Sequence, residues 1–253
     1  MRIRNTALVA VMCAGLAATL TACGGEGETA DPDAGTNGVG KLPATKIESK
    51  ARTAAGGADA VHLSGSLMSK GRTYKVDMKL KGDGGTGVVS TKGSRYELLR
   101  VGEELYLKAD AGFWAHQGAG GGSGGSGGHS GDAAAAGKLE DKYVKVPSGD
   151  PAYKRLSGFT DKSVMLDGLL GLHGTITAGD RGEVGGIRTI RILGGQGGGT
   201  LDVSLEGRPY PLRLERAGDA GVIRLADWNK DFKLAAPDDD HVVDYGQQIP
   251  TGT

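Results

Sequence analysis

The plainest chemistry in this 253-residue chain belongs to Leu20-Thr21-Ala22-Cys23, an aliphatic residue, two small ones and a cysteine. In that order they form a lipobox, where cleavage before Cys23 leaves an N-terminal cysteine whose thiol takes a diacylglyceryl group. Two acyl chains, at about 0.8 kcal/mol per buried methylene, suffice for stable membrane attachment. The only other cysteine, Cys13, sits within an apolar run and reads as a small apolar residue. The chain beyond Cys23 therefore offers no thiol for a disulfide, a metal or a nucleophile.

Other residues imitate chemistry without its setting. Gly121-Gly122-Ser123-Gly124-Gly125 matches G-x-S-x-G, and Gly124 to Gly128 repeats the match. A nucleophile elbow needs a strand before it and a helix after it, whereas these serines lie in a Gly/Ser tract. Gly194 to Gly199 has the glycine content of a phosphate loop but lacks the Lys-Ser/Thr end, and reads as a hairpin turn. His62, His116, His129, His173 and His241 show no H-x-x-x-H spacing for zinc. Asp238-Asp239-Asp240-His241 reads as a solvated acidic turn, with a weak cation site as the alternative, and Trp114 and Trp228 read as packing residues. No catalytic set emerges, so the expectation is a protein that is not an enzyme and uses no cofactor or metal.

Composition supports this. Thirty Lys+Arg balance thirty Asp+Glu, so the clustered basic face of a nucleic-acid binder is not expected. Hydrophobic residues make up 38% and glycine 47 positions, which implies substantial linker and one domain of roughly 200 residues. Arg2 and Arg4 precede the apolar run Ala7 to Ala18, too short for the ~20 residues of a membrane span. The expected layout is a signal peptide at 1–22, a disordered tether at 23–43, a folded domain at 44–246 with a mobile Gly/Ser-rich insertion at 117–137, and a tail at 247–253. The mature protein is expected as a monomer on the extracytoplasmic face of the cell membrane, anchored through diacylglyceryl-Cys23.

Within the domain, Thr45 and Glu48 fit a capping box for a helix through about Ala55, stopped by Gly56-Gly57. Tyr74, Val76, Met78 and Leu80 then alternate with charged residues, and Val61 to Met68 is the hairpin partner through Lys70-Gly71-Arg72. Gly87 to Ser90, Ser94 to Val101 and Glu104 to Lys108 extend an antiparallel meander. Asp150-Pro151 reads as an N-cap with proline at the first helical position. A second helix over about Asp161 to Leu170 offers Val164, Leu166, Leu169 and Leu170 for burial. Strands resume at Gly186 to Leu193, Thr200 to Leu205, Pro211 to Glu215 and Gly221 to Leu225. Helix, strands, helices, strands indicates an α+β fold, one strongly curved antiparallel sheet with helices on its concave face.

Several stretches together carry a family likeness: the lipobox, Val61-His62-Leu63-Ser64-Gly65-Ser66, Val101-Gly102-Glu103-Glu104-Leu105-Tyr106-Leu107-Lys108 running to Phe113-Trp114, Tyr143-Val144-Lys145-Val146, Leu205 to Leu212, and Phe232 to Pro237. In order and spacing these resemble the actinobacterial LppX/LprG-type lipoproteins and, more distantly, the LolA-like carriers. The resemblance implies a half-barrel sheet with helices across its opening, holding a lipid or glycolipid between them and moving it through the envelope. The Gly/Ser insertion and Gly-rich loops depart from that pattern. Residues placed to line such a cavity are Tyr74, Val76, Met78, Leu80, Leu98, Leu105, Leu107, Val164, Leu169, Ile190, Ile192, Leu201, Val203 and Leu205. The alternatives are that they pack a closed core, or that the fold is an anchored interaction or sensor module without lipid cargo.

Overall fold

The structure, a computed structural model, describes residues 31–110, 113–114, 139 and 142–244. The lipobox, Cys23, the Gly/Ser-rich insertion at 117–137 and the tail lie outside those residues. Two units divide at Ala34. Of the first, residues 31–34 are described, a turn in which the Ala34 N–H donates to the Asp31 carbonyl at 2.9 Å. The second unit, Gly35–Thr253, carries the fold.

It begins ahead of Ala44. Asn37 donates from Nδ2 to the carbonyls of Ser204 and Gly207, both at 3.1 Å, and Val39 is buried. The first helix, α1 (Ala44–Gly56), has Pro43 at its N-cap and no side-chain cap. The expected Thr45/Glu48 capping box does not form, because the helix starts two residues early and Thr45 is already inside it. Glu48 instead accepts the Leu172 N–H at 3.3 Å.

Twelve strands follow in the described residues: β1 (Ala60–Ser69), β2 (Arg72–Lys81), β3 (Gly84–Ser90), β4 (Arg95–Val101), β5 (Glu104–Ala109), β6 (Tyr143–Val146), β7 (Thr177–Val184), β8 (Ile187–Leu193), β9 (Thr200–Ser204), β10 (Pro211–Glu215), β11 (Gly221–Ala226) and β12 (Val242–Asp244). They form a single sheet in the order β12-β6-β5-β4-β3-β2-β1-β11-β10-β9-β8-β7. Every neighbouring pair is antiparallel except β12 and β6. Lys70 and Gly71 both take left-handed φ between β1 and β2 (49° and 72°), the two-residue turn that suits strand twist. Between β6 and β7 lie α2 (Pro151–Thr160) and α3 (Lys162–Leu170).

The sheet is strongly curved and unclosed. Met78 and Leu98 from one half and Ile190 and Leu201 from the other share one core with Ile47, Ala51 and Leu169 of the helices. A flat sheet of this width could not bring them together. On the concave face α1 covers β7, β8 and β10, α2 covers β2 to β4, and α3 touches both other helices. This is the α+β half-barrel expected from the sequence.

The opposite face carries a strap that the sequence did not reveal. A Cβ on Gly85 would meet the Thr160 carbonyl of α2, while one on the neighbouring Gly84 would meet Leu234, so the segment after β11 crosses the face away from the helices. Lys81 holds it by donating to Asp231 and to the Phe232 carbonyl, both at 3.2 Å, and Lys142 donates to the Asp240 carbonyl at 2.8 Å. The strap ends as β12, paired beside β6.

Candidate functional site

Alternate turns of an antiparallel meander fall at the same end of the sheet. The β1–β2 turn, the β3–β4 turn at Thr91 and Ser94, the β8–β9 loop at Gly197 and the β10–β11 turn at Arg216 to Ala220 therefore gather at one rim. Between that rim and helices α2 and α3 lies a cavity of about 870 Å³.

Its walls are apolar and aromatic. Leu67, Tyr74 and Val76 come from β1 and β2, Tyr96 and Leu107 from β4 and β5, Leu156 and Phe159 from α2, and Met165 and Leu169 from α3. Phe113 adds a ring 5.5 Å from that of Tyr96 and meets Trp114 edge-on at 5.1 Å. Burial, and secondarily the electrostatic interaction with the neighbouring Tyr74 phenol, pushes the Tyr96 phenol up to about 12, so it stays neutral at any physiological pH. Two large hydrophobic side chains remain exposed among the described residues, Met68 at 53% and Val164 at 56%, and both line the opening. The polar part of the lining is Lys70, Arg72, Arg155 and Arg216 with the Thr91, Ser69 and Ser94 hydroxyls.

Hydrogen bonds fix the helices that roof the cavity. Asp150 caps α2 by accepting the Ala152 N–H at 2.7 Å, and Asp161 caps α3 by accepting the Val164 N–H at 3.0 Å. Arg100 on β4 donates to the Thr160 hydroxyl (3.1 Å) and carbonyl (3.0 Å) and lies 3.6 Å from Asp161, clamping the α2–α3 junction onto the sheet. Lys162 donates to the carbonyls of Gly56, the last residue of α1, and of Ala58 just after it, tying the third helix to the first.

Of the fourteen residues singled out in the sequence, Tyr74, Val76, Leu107, Val164 and Leu169 line this cavity. Met78, Leu80, Leu98, Leu105, Ile190, Ile192, Leu201, Val203 and Leu205 do not; they are fully buried in the core. Alternation selects a face of the sheet, whereas the cavity occupies only one end of it. Val164, expected to be buried, is a correction. It stands two positions before Leu166, about 200° around the helix, so the stripe that buries Leu166, Leu169 and Leu170 leaves it at the opening. The walls that pattern reading missed, Leu156 and Phe159, do carry a signal, an i, i+3 apolar pair on α2.

The imitations of chemistry resolve structurally. Gly194 to Gly199 is the β8–β9 hairpin loop, closed by the Gly194 N–H on the Gly199 carbonyl at 2.9 Å. Asp238, Asp240 and His241 bring their ligand atoms within 4.8 Å of one another, exposed on a single turn. Trp228 stacks on Tyr210 at 4.7 Å and donates to the Pro211 carbonyl, and Trp114 donates to the Ala109 carbonyl.

No family model matches the chain, and no curated protein compared with it matches. Among solved structures it is similar to LprF from Mycobacterium bovis, at 18% identity and a TM-score of 0.49, over 77% of this chain and 96% of that one. It is also similar to the Mycobacterium tuberculosis lipoprotein LppX, at 15% identity and a TM-score of 0.41, over 76% and 99% of the two chains. Both are members of the lipoprotein family whose likeness the sequence carries.

Proposed function

We propose that this chain is a lipoprotein of the extracytoplasmic membrane face, anchored through diacylglyceryl-Cys23, that holds the acyl part of a lipid or glycolipid between its sheet and helices. The observation that carries the reading is the open apolar cavity of about 870 Å³, a volume typical of ligand pockets and large for an unused gap in a packed interior. Energetics are favourable. About fifteen buried methylenes contribute about 12 kcal/mol, and an association cost of at least about 4 leaves at most about 8, an affinity of about micromolar at its tightest. The aromatic rings and Met165 suit a flexible chain, since thioether and ring edges accommodate many shapes. Exposed Met68 and Val164 give that chain an apolar threshold at the opening.

The test is organic extraction and mass spectrometry of the full chain purified from membranes. Lipid should be recovered from the parent protein and lost from Val76→Trp, which fills the cavity from its wall. An equal yield from both, or none from either, refutes the cavity as its site. For the anchor, Cys23→Ala is expected to release the protein from membranes and remove the diacylglyceryl mass from its N-terminus; unchanged membrane retention would refute it.

A further inference from the structure

We propose that the cavity selects amphiphiles with an anionic headgroup, phosphate or carboxylate, held at the opening by Lys70, Arg72, Arg155 and Arg216. The inference rests on the cavity holding lipid and adds the chemistry of the end that stays outside.

The protein as a whole is neutral, with thirty cations and thirty carboxylates. The cavity lining breaks that balance: four cations and, among the described residues, no Asp or Glu. These cations come from three separate places, the β1–β2 hairpin, α2 and the end of β10, so no run of basic sequence explains their meeting. Several cations elsewhere pair with carboxylates, as in Arg188 with Glu206, Arg191 with Asp202, Arg213 with Glu215 and Lys145 with Glu104. Asp167, one residue from the lining Gly168, pairs with Arg52 on α1 at 3.8 Å. Arg216 donates to the Gly168 carbonyl at 2.7 Å, which holds its guanidinium beside α3 with further N–H groups to offer.

Like charges beside a low-dielectric apolar wall repel one another until an anion joins them. Three guanidinium forks and an ammonium match the oxygens of a phosphate or carboxylate, and the nearby Thr91 and Ser94 hydroxyls add neutral donors. A headgroup bound there leaves its acyl chain directed past Met68 and Val164 into the cavity.

The test uses the full chain carrying Cys23→Ala, with the neutral dye Nile red as the cavity probe. Competitors share one dodecyl chain: dodecyl phosphate, dodecylphosphocholine and dodecanol. Dodecyl phosphate is expected to displace the dye at about tenfold lower concentration than the other two, the effect of one or two charge-assisted hydrogen bonds. In Arg72→Gln/Arg155→Gln, both at exposed positions, and in the further variant with Arg216→Gln, the preference, read within each variant as the ratio of dodecanol to dodecyl phosphate displacement concentrations, should shrink to within about twofold. Equal displacement by all three, or a preference that survives the substitutions, overturns the inference. So does inorganic phosphate binding as tightly as dodecyl phosphate, which would make the site one for a free anion. Substitutions that abolish sedimentation with phosphatidylglycerol vesicles but spare the preference would assign the cations to membrane contact instead. Dye binding with no headgroup preference leaves the lipid cavity standing; no binding of dye or any competitor removes both readings.

Discussion

Asp161 joins two structural roles in one carboxylate. Its Oδ1 accepts the Val164 N–H at the start of α3, and the Arg100 guanidinium lies 3.6 Å from its other oxygen. The Val164 N–H first, then the Ser163 hydroxyl, hold its carboxyl below the ordinary range. A lowered native pKa means that the unfolded chain binds more protons in acid, so the contribution is complete above the unfolded value near pH 4. It is lost as pH falls through the lower native value. Asp161→Ala should cost about 1 kcal/mol at neutral pH. Asp161→Asn should retain most of the cap but flatten the acid dependence, as thermal melts at about pH 6 and about pH 3 would show. Tyr96 has the opposite sign. Its pKa is raised to about 12, so its contribution is full below the unfolded value near 10 and is lost between about 10 and 12. Ultraviolet titration should find one fewer late-ionising phenol in Tyr96→Phe; the same number would show that Tyr96 is not among them. At this scale the sequence was uneven. Asp150-Pro151 announced its cap, because the whole signal is local. The Thr45/Glu48 box was a false start, and nothing in the spacing of Lys70, Arg72, Arg155 and Arg216 foretold that three elements would bring them to one cavity.

Strands with one wet face were readable because a period of two is forced by the pleat. β2 and β8 to β11 appear within a residue or two of where alternation placed them. β7 was not readable. Its sequence, TAGDRGEV, has no buried side chain and belongs to a strand at the sheet's edge that rests on backbone pairing with β8. β12 is three residues long and depends on a parallel partner a hundred positions away, beyond any local signal. The helices were visible, but the clamp that seats them was not, since Arg100 looks like any charged residue on an alternating strand. Its donors serve the α2 C-terminus and the α3 N-cap at once. Arg100→Ala therefore leaves the Thr160 carbonyl without that partner and should cost about 1–3 kcal/mol. Arg100→Lys should recover only part of this, because an ammonium cannot reproduce a fork that serves both hydroxyl and carbonyl. Chemical denaturation of the three proteins measures it; a lysine variant as stable as the parent would show that charge alone matters.

The whole molecule is joined at one central seam. β1 begins the N-terminal meander and β11 ends the C-terminal one, and their pairing from His62–Ala226 to Leu67–Gly221 makes a single sheet of the two. Curvature then brings side chains of both meanders into one core, and leaves the cavity where the helices stop short of the rim. Apolar alternation is the same for a filled concavity and an open one, so the cavity's size and position emerge only from how helices and sheet meet. The seam also sets how the protein should come apart. At Gly65 the backbone φ is +148°, and a Cβ there would run into the Val222 carbonyl oxygen across the seam. Gly65→Ala must therefore distort β1 or move β11, at a cost of about 1–3 kcal/mol. Neither meander buries its apolar face without the other, since Leu63 and Met78 pack in the same core as Ile190 and Leu201. The variant should melt at a lower temperature, still in one transition seen identically by circular dichroism and by tryptophan fluorescence from Trp114 and Trp228. Two separated transitions would mean that the meanders are independent and the seam is only a contact between them. A single transition lowered together would mean that the cavity, its roof and the seam stand or fall as one cooperative structure.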